Sequence, residues 1–238
     1  MDGDVAPLER IVELARRYDV RVMVDEAHAT GVLGRGGRGS VAAAGLEGEV
    51  DVVVGTLGKA LGSYGAYVCC DGAMARYLVN TARTLIFSTG PAPPVVAGAL
   101  AALELVAREP RRVERLDYNA RTLRAALVRQ GFAPPAGETP IVPLVVGDAA
   151  RAVSFCEQAL RRGVFAQAIR PPTVPEGSSR LRLAAMATHK AAELEWAAAQ
   201  LGAAAREAGA ARSVAESRTA EVFDYDLHAA EPALDHAA

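Results

Sequence analysis

Four polar side chains in this sequence are spaced so that they could act together on one small ligand. Asp25 and His28 follow one apolar, β-branched run, and Thr56 and Lys59 follow a second. A lysine held in apolar surroundings loses part of its ammonium character and becomes an amine nucleophile, as Schiff-base chemistry requires. The pattern therefore predicts amine chemistry assisted by a carboxylate and an imidazole.

Two predicted strands position these side chains. Val20–Val24 and Asp51–Val54 read as strands of one sheet, and a helix, residues 7–18, precedes the first of them. In such an α/β arrangement, ligands bind beyond the carboxyl ends of the strands. Lys59 lies in the loop Gly55–Gly62, whose glycines allow a turn too tight for bulky residues. The acid, the imidazole, the hydroxyl and the amine are thus expected to converge.

The string Asp25-Glu26-Ala27-His28 has two competing functional interpretations. One is the acidic magnesium box of a helicase-type NTPase, but the phosphate loop that it needs upstream is missing from the sequence. The other places Asp25 at the ring nitrogen of pyridoxal phosphate, with His28 near the phenolic oxygen. For each residue alone, a helix cap, a satisfied core histidine or a solvated loop lysine also remains open.

Composition excludes several classes of protein. The chain has 238 residues, of which 51% are hydrophobic, and a net charge of −2, so it predicts one or two globular domains without affinity for nucleic acid or membranes. The acidic start Met1–Asp4 is unlike a signal peptide, and a cytoplasmic location is expected. The three cysteines show no C-x-x-C spacing, which argues against a disulfide framework or a metal site.

The remaining pattern predicts an α/β fold followed by a smaller α+β unit. Residues 1–108 form a partial, parallel-type sheet with helices, residues 109–207 form the smaller domain, and residues 208–238 form a disordered tail. In the first part we also expect a strand at 65–70 and helices at 72–83 and 93–108. In the second we expect helices at 111–130, 149–162 and 189–207 and strands at 141–146, 164–169 and 180–184.

A proline-rich loop, Arg170–Pro175, lies between two strands of the smaller unit. Its prolines restrict the backbone, so that Arg170 and Thr173 have few ways to move. A guanidinium held in this way suits a bidentate grip on a carboxylate. Arg182 is a weaker candidate, and an arginine that simply extends from a strand end remains an alternative for Arg170.

Two stretches, Val24–Gly34 and Gly55–Gly62, resemble the α-oxoamine synthase branch of the fold-type-I pyridoxal-phosphate enzymes. The resemblance implies that an aspartate pairs with the pyridine nitrogen, a histidine contacts the phenolic oxygen, a threonine helps to hold the cofactor and a lysine forms the Schiff base. These roles fall on Asp25, His28, Thr56 and Lys59, respectively.

The loop at residues 170–175 resembles the members that condense L-alanine with a pimeloyl thioester, with loss of carbon dioxide, in biotin synthesis. In them the arginine contacts the amino-acid carboxylate and the threonine lies against the substrate, roles that fall on Arg170 and Thr173. The resemblance further implies a homodimer in which Ser88 and Thr89 reach toward the partner's cofactor phosphate. Another acyltransferase of the family, such as a glycine C-acetyltransferase, is the alternative.

The resemblance begins in the middle of the family's large domain and lacks its N-terminal portion. Three strands are too few to shield a parallel sheet. We therefore also expect that the chain could be a catalytically silent fragment, which folds only with a missing N-terminal half or in a dimer.

Overall fold

The computed structural model describes residues 1–137 and 139–210 and folds them around two three-stranded sheets. The tail predicted for 208–238 lies outside the described residues from position 211 onward. Ala210, the last described residue, is fully buried in the core of the second sheet. None of the helices within these ranges combines the length and apolar character that a membrane span requires.

The first sheet is preceded, interrupted and followed by helices. In chain order the elements are α1 (Leu8–Arg17), β1 (Met23–Asp25), α2 (Ser40–Ala43), β2 (Val52–Thr56), β3 (Ala66–Cys70), α3 (Gly72–Thr81), α4 (Arg83–Ile86) and α5 (Pro93–Arg108). A 3₁₀ turn, Arg35–Gly37, lies between β1 and α2. The helices and strands expected before residue 108 are all present, with bounds that differ by a few residues.

Strand pairing makes this sheet mixed. β1 and β2 are parallel, with Met23 beside Val52 and Asp25 beside Val54. β3 is antiparallel to β2, so the expected parallel type holds for only one of the two pairs. The loop between β2 and β3 is too short for the crossover of about a dozen residues that a parallel connection needs.

One face of the first sheet has a small core. Leu8, Val12 and Ala15 of α1 pack on Val22 and Val24 together with Val41. The opposite face is open, because Met23, which alternates with these valines, is 69% exposed. The Asp25 side chain belongs to this open face.

The helices after β3 bury very little. α3 and α4 have no buried residue, and α5 has one, Ala99. Large apolar side chains therefore remain exposed along them: Tyr77, Val79, Leu85, Ile86, Phe87, Val96, Leu100 and Leu103. This surface is consistent with the expectation that the first sheet lacks part of its cover.

The second unit has the larger core. Its elements are α6 (Arg111–Arg129), β4 (Ile141–Gly147), α7 (Ala149–Arg161), β5 (Gln167–Ile169), β6 (Ser179–Ala184) and α8 (Ala191–Glu207). The sheet has the order β4-β6-β5 with antiparallel pairs. Helices pack on one face, where Leu127, Leu144, Phe155, Leu181 and Leu201 are almost fully buried.

The division predicted at residue 108 stays a prediction, although Glu109 and Pro110 separate α5 from α6. Two contacts nevertheless join residues on either side of that division. Asp2 forms an ion pair with Arg180 of β6, and Thr139 Oγ1 donates a hydrogen bond to Gly3 O at 2.7 Å. The first residues of the chain therefore contact the second sheet.

We expect Phe155→Ala to lower the free energy of unfolding by about 3–5 kcal/mol, because it empties a fully buried site in the larger core. Phe165→Ala is the matched control, since Phe165 is 81% exposed. Denaturant unfolding monitored by circular dichroism measures both changes. Equal losses of stability in the two variants would contradict this description of the core.

Candidate active site

The parallel pair β1 and β2 brings two polar strand ends together. Glu26 N donates a hydrogen bond to Val54 O at 2.7 Å, which continues the pairing one residue past β1. Asp25 therefore lies beside Val54, and Thr56 lies two residues farther along the neighbouring strand. The expected placement of both residues at the same edge of one sheet is confirmed.

The Asp25 carboxylate is held by the turn that it begins. Its Oδ1 accepts a hydrogen bond from Ala27 N at 2.8 Å, and the residue is exposed. Within the described ranges, no hydrogen bond engages Oδ2. One oxygen thus fixes the orientation of the carboxylate, and the other remains available to a ligand.

His28 lies where the first unit meets the second. Its Nδ1 is 3.5 Å from Arg182 Nη2. Burial lowers the pKa of His28 below its usual value, and the positive charges of Lys59, Arg182 and the N-terminal amino group lower it further. The charge of Asp25 opposes this shift. The charges of Asp25, of Lys59 and of Arg182 from the second unit thus all act on the His28 imidazole.

Lys59 follows β2 in a turn closed by backbone hydrogen bonds. Gly62 N donates to Lys59 O at 3.0 Å, and Ser63 N donates to Leu57 O at 2.8 Å. Leu61, only 5% exposed, anchors the turn. The Lys59 side chain itself is exposed, so the expected apolar enclosure is absent from the described structure. The open face of a three-stranded sheet explains this difference.

The Thr56 hydroxyl stabilises the same turn. It donates to Gly65 O at 3.1 Å and accepts from Gly58 N at 3.2 Å. These bonds join the two ends of the loop that contains Lys59. The contact between Thr56 and a cofactor stays a prediction.

Glu26 is a residue of the site region to which the sequence assigned no role in cofactor chemistry. Its carboxylate is 2% exposed and accepts hydrogen bonds from Ser40 N at 2.8 Å, Ser40 Oγ at 2.9 Å and Val41 N at 2.7 Å. A Cβ at Gly39, where φ is +102°, would lie 2.8 Å from this carboxylate. Glu26 thus caps α2 and fixes the loop after His28. The sequence could have indicated a role for Glu26, because this residue lies between two candidate site residues, Asp25 and His28.

The structure brings Arg182, rather than Arg170, to His28. Arg170 is exposed at the end of β5, and the structure shows no side-chain hydrogen bond or ion pair between it and another described residue. Thr173 is also exposed, and its N donates to Arg170 O at 3.0 Å. Arg182 has no carboxylate partner among residues 1–137 and 139–210, and its buried Nε has no hydrogen-bond acceptor there. Arg182 is therefore available to bind an anionic group.

Ser88 and Thr89 follow α4 on an exposed segment. Ser88 Oγ donates to Thr89 O at a long 3.4 Å, and no hydrogen bond connects either side chain with Asp25, His28 or Lys59. Their predicted contact with a cofactor phosphate remains a prediction. No cluster of three or more potential metal ligands occurs in the part of the chain that the structure describes.

Residues 1–201 match the family model described as aminotransferase class I and II. The 8-amino-7-oxononanoate synthase of Trichlorobacter lovleyi is 47% identical over 211 residues, which cover 88% of this chain and 54% of that protein. The protein of the same name from Lysinibacillus sphaericus is 47% identical over 195 residues, or 82% of this chain and 50% of the relative. The chain thus spans about half the length of these relatives.

Solved structures show the same fold. A structure described as SPT with a pyridoxal-phosphate internal aldimine matches with a TM-score of 0.84 and 33% identity, over 88% of this chain and 53% of that one. The serine palmitoyltransferase of Sphingomonas wittichii matches with a TM-score of 0.83 and 30% identity over the same shares. The architecture is therefore that of a fold-type-I pyridoxal-phosphate transferase.

We expect His28 to titrate below 6.5, the usual value for histidine. Arg182→Gln removes a positive charge and should raise the His28 pKa, whereas Asp25→Asn removes a negative charge and should lower it further. Because the folded-state pKa is below the unfolded value, the contribution of His28 to stability is lost as pH falls below about 6.5. Histidine NMR titration, assigned with His28→Gln, measures each shift.

Arg170→Gln is the control for this titration, because Arg170 does not contribute to the His28 shift. Like Arg182→Gln, this substitution removes one positive charge from the second unit. An equal change of the His28 pKa in the Arg170 and Arg182 variants would contradict the described geometry.

Proposed function

Because the chain belongs to the aminotransferase class I and II family, we propose that it supplies the catalytic lysine of a pyridoxal-phosphate-dependent acyltransferase. The proposed reaction condenses L-alanine with a pimeloyl thioester, with loss of carbon dioxide, to give 8-amino-7-oxononanoate in biotin synthesis. The observation that supports it most is the arrangement around His28 of a carboxylate, an amine and an arginine that has no carboxylate partner among the described residues. The sequence relatives with that name support the choice of reaction.

The chemistry of the donor set fits pyridoxal phosphate. No residue in the described part of the chain donates a hydrogen bond to Asp25 Oδ2, so this oxygen could accept one from a protonated pyridine nitrogen, and Lys59 offers a primary amine to an aldehyde. The lowered pKa of His28 favours its neutral form, which can hydrogen-bond to a phenolic oxygen. When bound, the cofactor supplies a ring that withdraws electrons from the α-carbon of an amino acid.

In the proposed mechanism, each side chain has a defined task. With the cofactor bound, Asp25 would hold a proton at the ring nitrogen, and Lys59 Nζ would remove and return the proton at the substrate α-carbon. Arg182 binds the carboxylate of the amino acid, since its guanidinium has no carboxylate partner in the described chain. The carboxylate contact of Arg170 and the substrate contact of Thr173, both expected from the resemblance, remain part of the proposal; both residues are exposed in the loop between β5 and β6 and would act beside Arg182.

A homodimer and a cytoplasmic location complete this proposal. The exposed segment with Ser88 and Thr89 follows α4, whose Leu85 and Ile86 are exposed, as expected of a surface that another chain covers. In such a dimer the two hydroxyls would meet the cofactor phosphate of the partner.

We expect pyridoxal phosphate to attach to Lys59. After incubation with the cofactor and reduction with borohydride, peptide mass spectrometry should locate the pyridoxyl group on Lys59 and lose it in Lys59→Ala. Lys190→Ala is the matched control, because Lys190 is the other lysine of the chain. Turnover of L-alanine with a pimeloyl thioester should fall by at least about 100-fold in Lys59→Ala.

Labelling that persists in Lys59→Ala, or that falls equally in Lys190→Ala, would refute the proposed role. Activity with glycine and acetyl-CoA, but not with L-alanine, would favour the glycine C-acetyltransferase alternative.

A second candidate function is that of one half of a two-part enzyme. Three helices with almost no buried residue expose apolar side chains, and the chain covers about half of its relatives. A polypeptide that supplies the unmatched half of the fold would cover these side chains and enclose Lys59. In this case the chain alone would be catalytically silent.

Complementation tests this second candidate. We expect coexpression with the portion of the Trichlorobacter lovleyi relative that this chain does not cover to restore cofactor binding. Leu100→Glu should prevent complementation, whereas Leu160→Glu should not; the two side chains are 57% and 58% exposed, and only Leu100 belongs to the apolar surface of α3–α5. If the chain alone converted the substrates, and coexpression did not change the rate, the second candidate function would be wrong.

A further inference from the structure

The first residues of the chain pack against the second sheet. Thr139 Oγ1 donates to Gly3 O at 2.7 Å. Gly3 has a φ of +75°, and a Cβ there would lie 2.4 Å from Thr139 Oγ1 and 2.6 Å from Ile141 O. Only glycine fits both this conformation and this close approach. The backbone at Gly3 therefore fixes where the adjacent Asp2 can reach.

Asp2 reaches Arg180 on the central strand of that sheet. The Arg180 side chain is 8% exposed, whereas that of Asp2 is 44% exposed. Arg180 Nε also donates to Ser178 O at 2.9 Å. A buried guanidinium without a carboxylate is costly, so loss of the Asp2 charge forces Arg180 to move toward water. The pair stabilises one particular conformation of Arg180.

Arg180 and Arg182 project from the same face of β6. Leu181 and Leu183, which alternate with them, are 0% and 6% exposed and pack in the core on the opposite face. Arg182 is the residue whose Nη2 lies 3.5 Å from His28 Nδ1. One face of β6 thus meets the first unit at two points, Asp2 and His28. Arg180 and Arg182 are two residues apart on one strand, so a change in the position of β6 at Arg180 would also act on Arg182.

We propose that Asp2 and Arg180 form a positioning pair, which holds β6 so that Arg182 faces His28 at the place where a substrate carboxylate binds. The inference rests on the proposed function for the carboxylate, and extends it to two residues that do not touch the substrate. The pair sets the distance between the two units at the site. Its loss weakens binding of the amino acid and leaves the chemical step largely intact.

The first test uses the full chain and needs no substrate. Arginine residues are labelled with phenylglyoxal, and fragment mass spectra assign the label to Arg180 or Arg182. We expect labelling of both to be several-fold faster in Asp2→Asn than in the wild type. Asp4→Asn is the matched control, because Asp4 is exposed and has no hydrogen bond or ion pair among the described residues. Equal labelling in Asp2→Asn and Asp4→Asn overturns the proposal.

The second test separates positioning from a general structural effect. With pyridoxal phosphate bound, Asp2→Asn should raise the KM for L-alanine by roughly 3- to 10-fold with kcat changed less than about twofold, and Asp2→Glu should restore the KM. In an Arg182→Lys background, Asp2→Asn should add no further increase, since both changes act on the same contact. Additive effects on KM would overturn the proposal.

The two tests distinguish the possible failures. If the wild type neither binds nor converts L-alanine, alone or with the complementing portion of the relative, the proposed function is wrong, and the labelling of Arg182 still decides whether Asp2 positions this arginine. If the wild type converts L-alanine and the Asp2 and Asp4 variants behave alike, the positioning pair is wrong and the proposed function stands.

Discussion

The parallel pairing of β1 with β2 is the constraint on which the candidate site depends. It brings the carboxyl ends of two strands to one edge of the sheet, so that Asp25 and the turn with Lys59 become neighbours although they are far apart in sequence. The hydrogen bond from Glu26 N to Val54 O extends this pairing to the first residue after the strand. A shift by one residue would turn Asp25 to the core face, where its charge would have no water.

Two buried charges stabilise the surroundings of that edge. Glu26 uses its carboxylate to cap the short helix α2, which fixes the glycine-rich loop behind His28. Arg180 is paired with Asp2, and Arg182, two residues farther along β6, lies 3.5 Å from His28. Both charges are buried and have partners: those of Glu26 lie in the helix that follows its loop, whereas Asp2 and Arg180 come from distant parts of the chain.

The two units differ in how completely they are packed. The second has a contiguous core between its sheet and three helices, with Phe155 and Leu127 fully buried. The first has six residues in its core and exposes the apolar side chains of three helices. The chain covers about half of its relatives, and the open sheet face and the exposed Lys59 both belong to the less completely packed unit.

The sequence by itself determined the types and approximate bounds of the helices and strands, and it located Asp25, His28 and Lys59. These features depend on local periodicity and on polar residues that end apolar runs. Only the tertiary structure decided that β3 is antiparallel, that Glu26 is buried, and that Arg182 rather than Arg170 reaches His28. The first two depend on strand pairing and on a loop that folds back on Glu26, and the third on the packing of segments 154 residues apart, none of which a local pattern specifies.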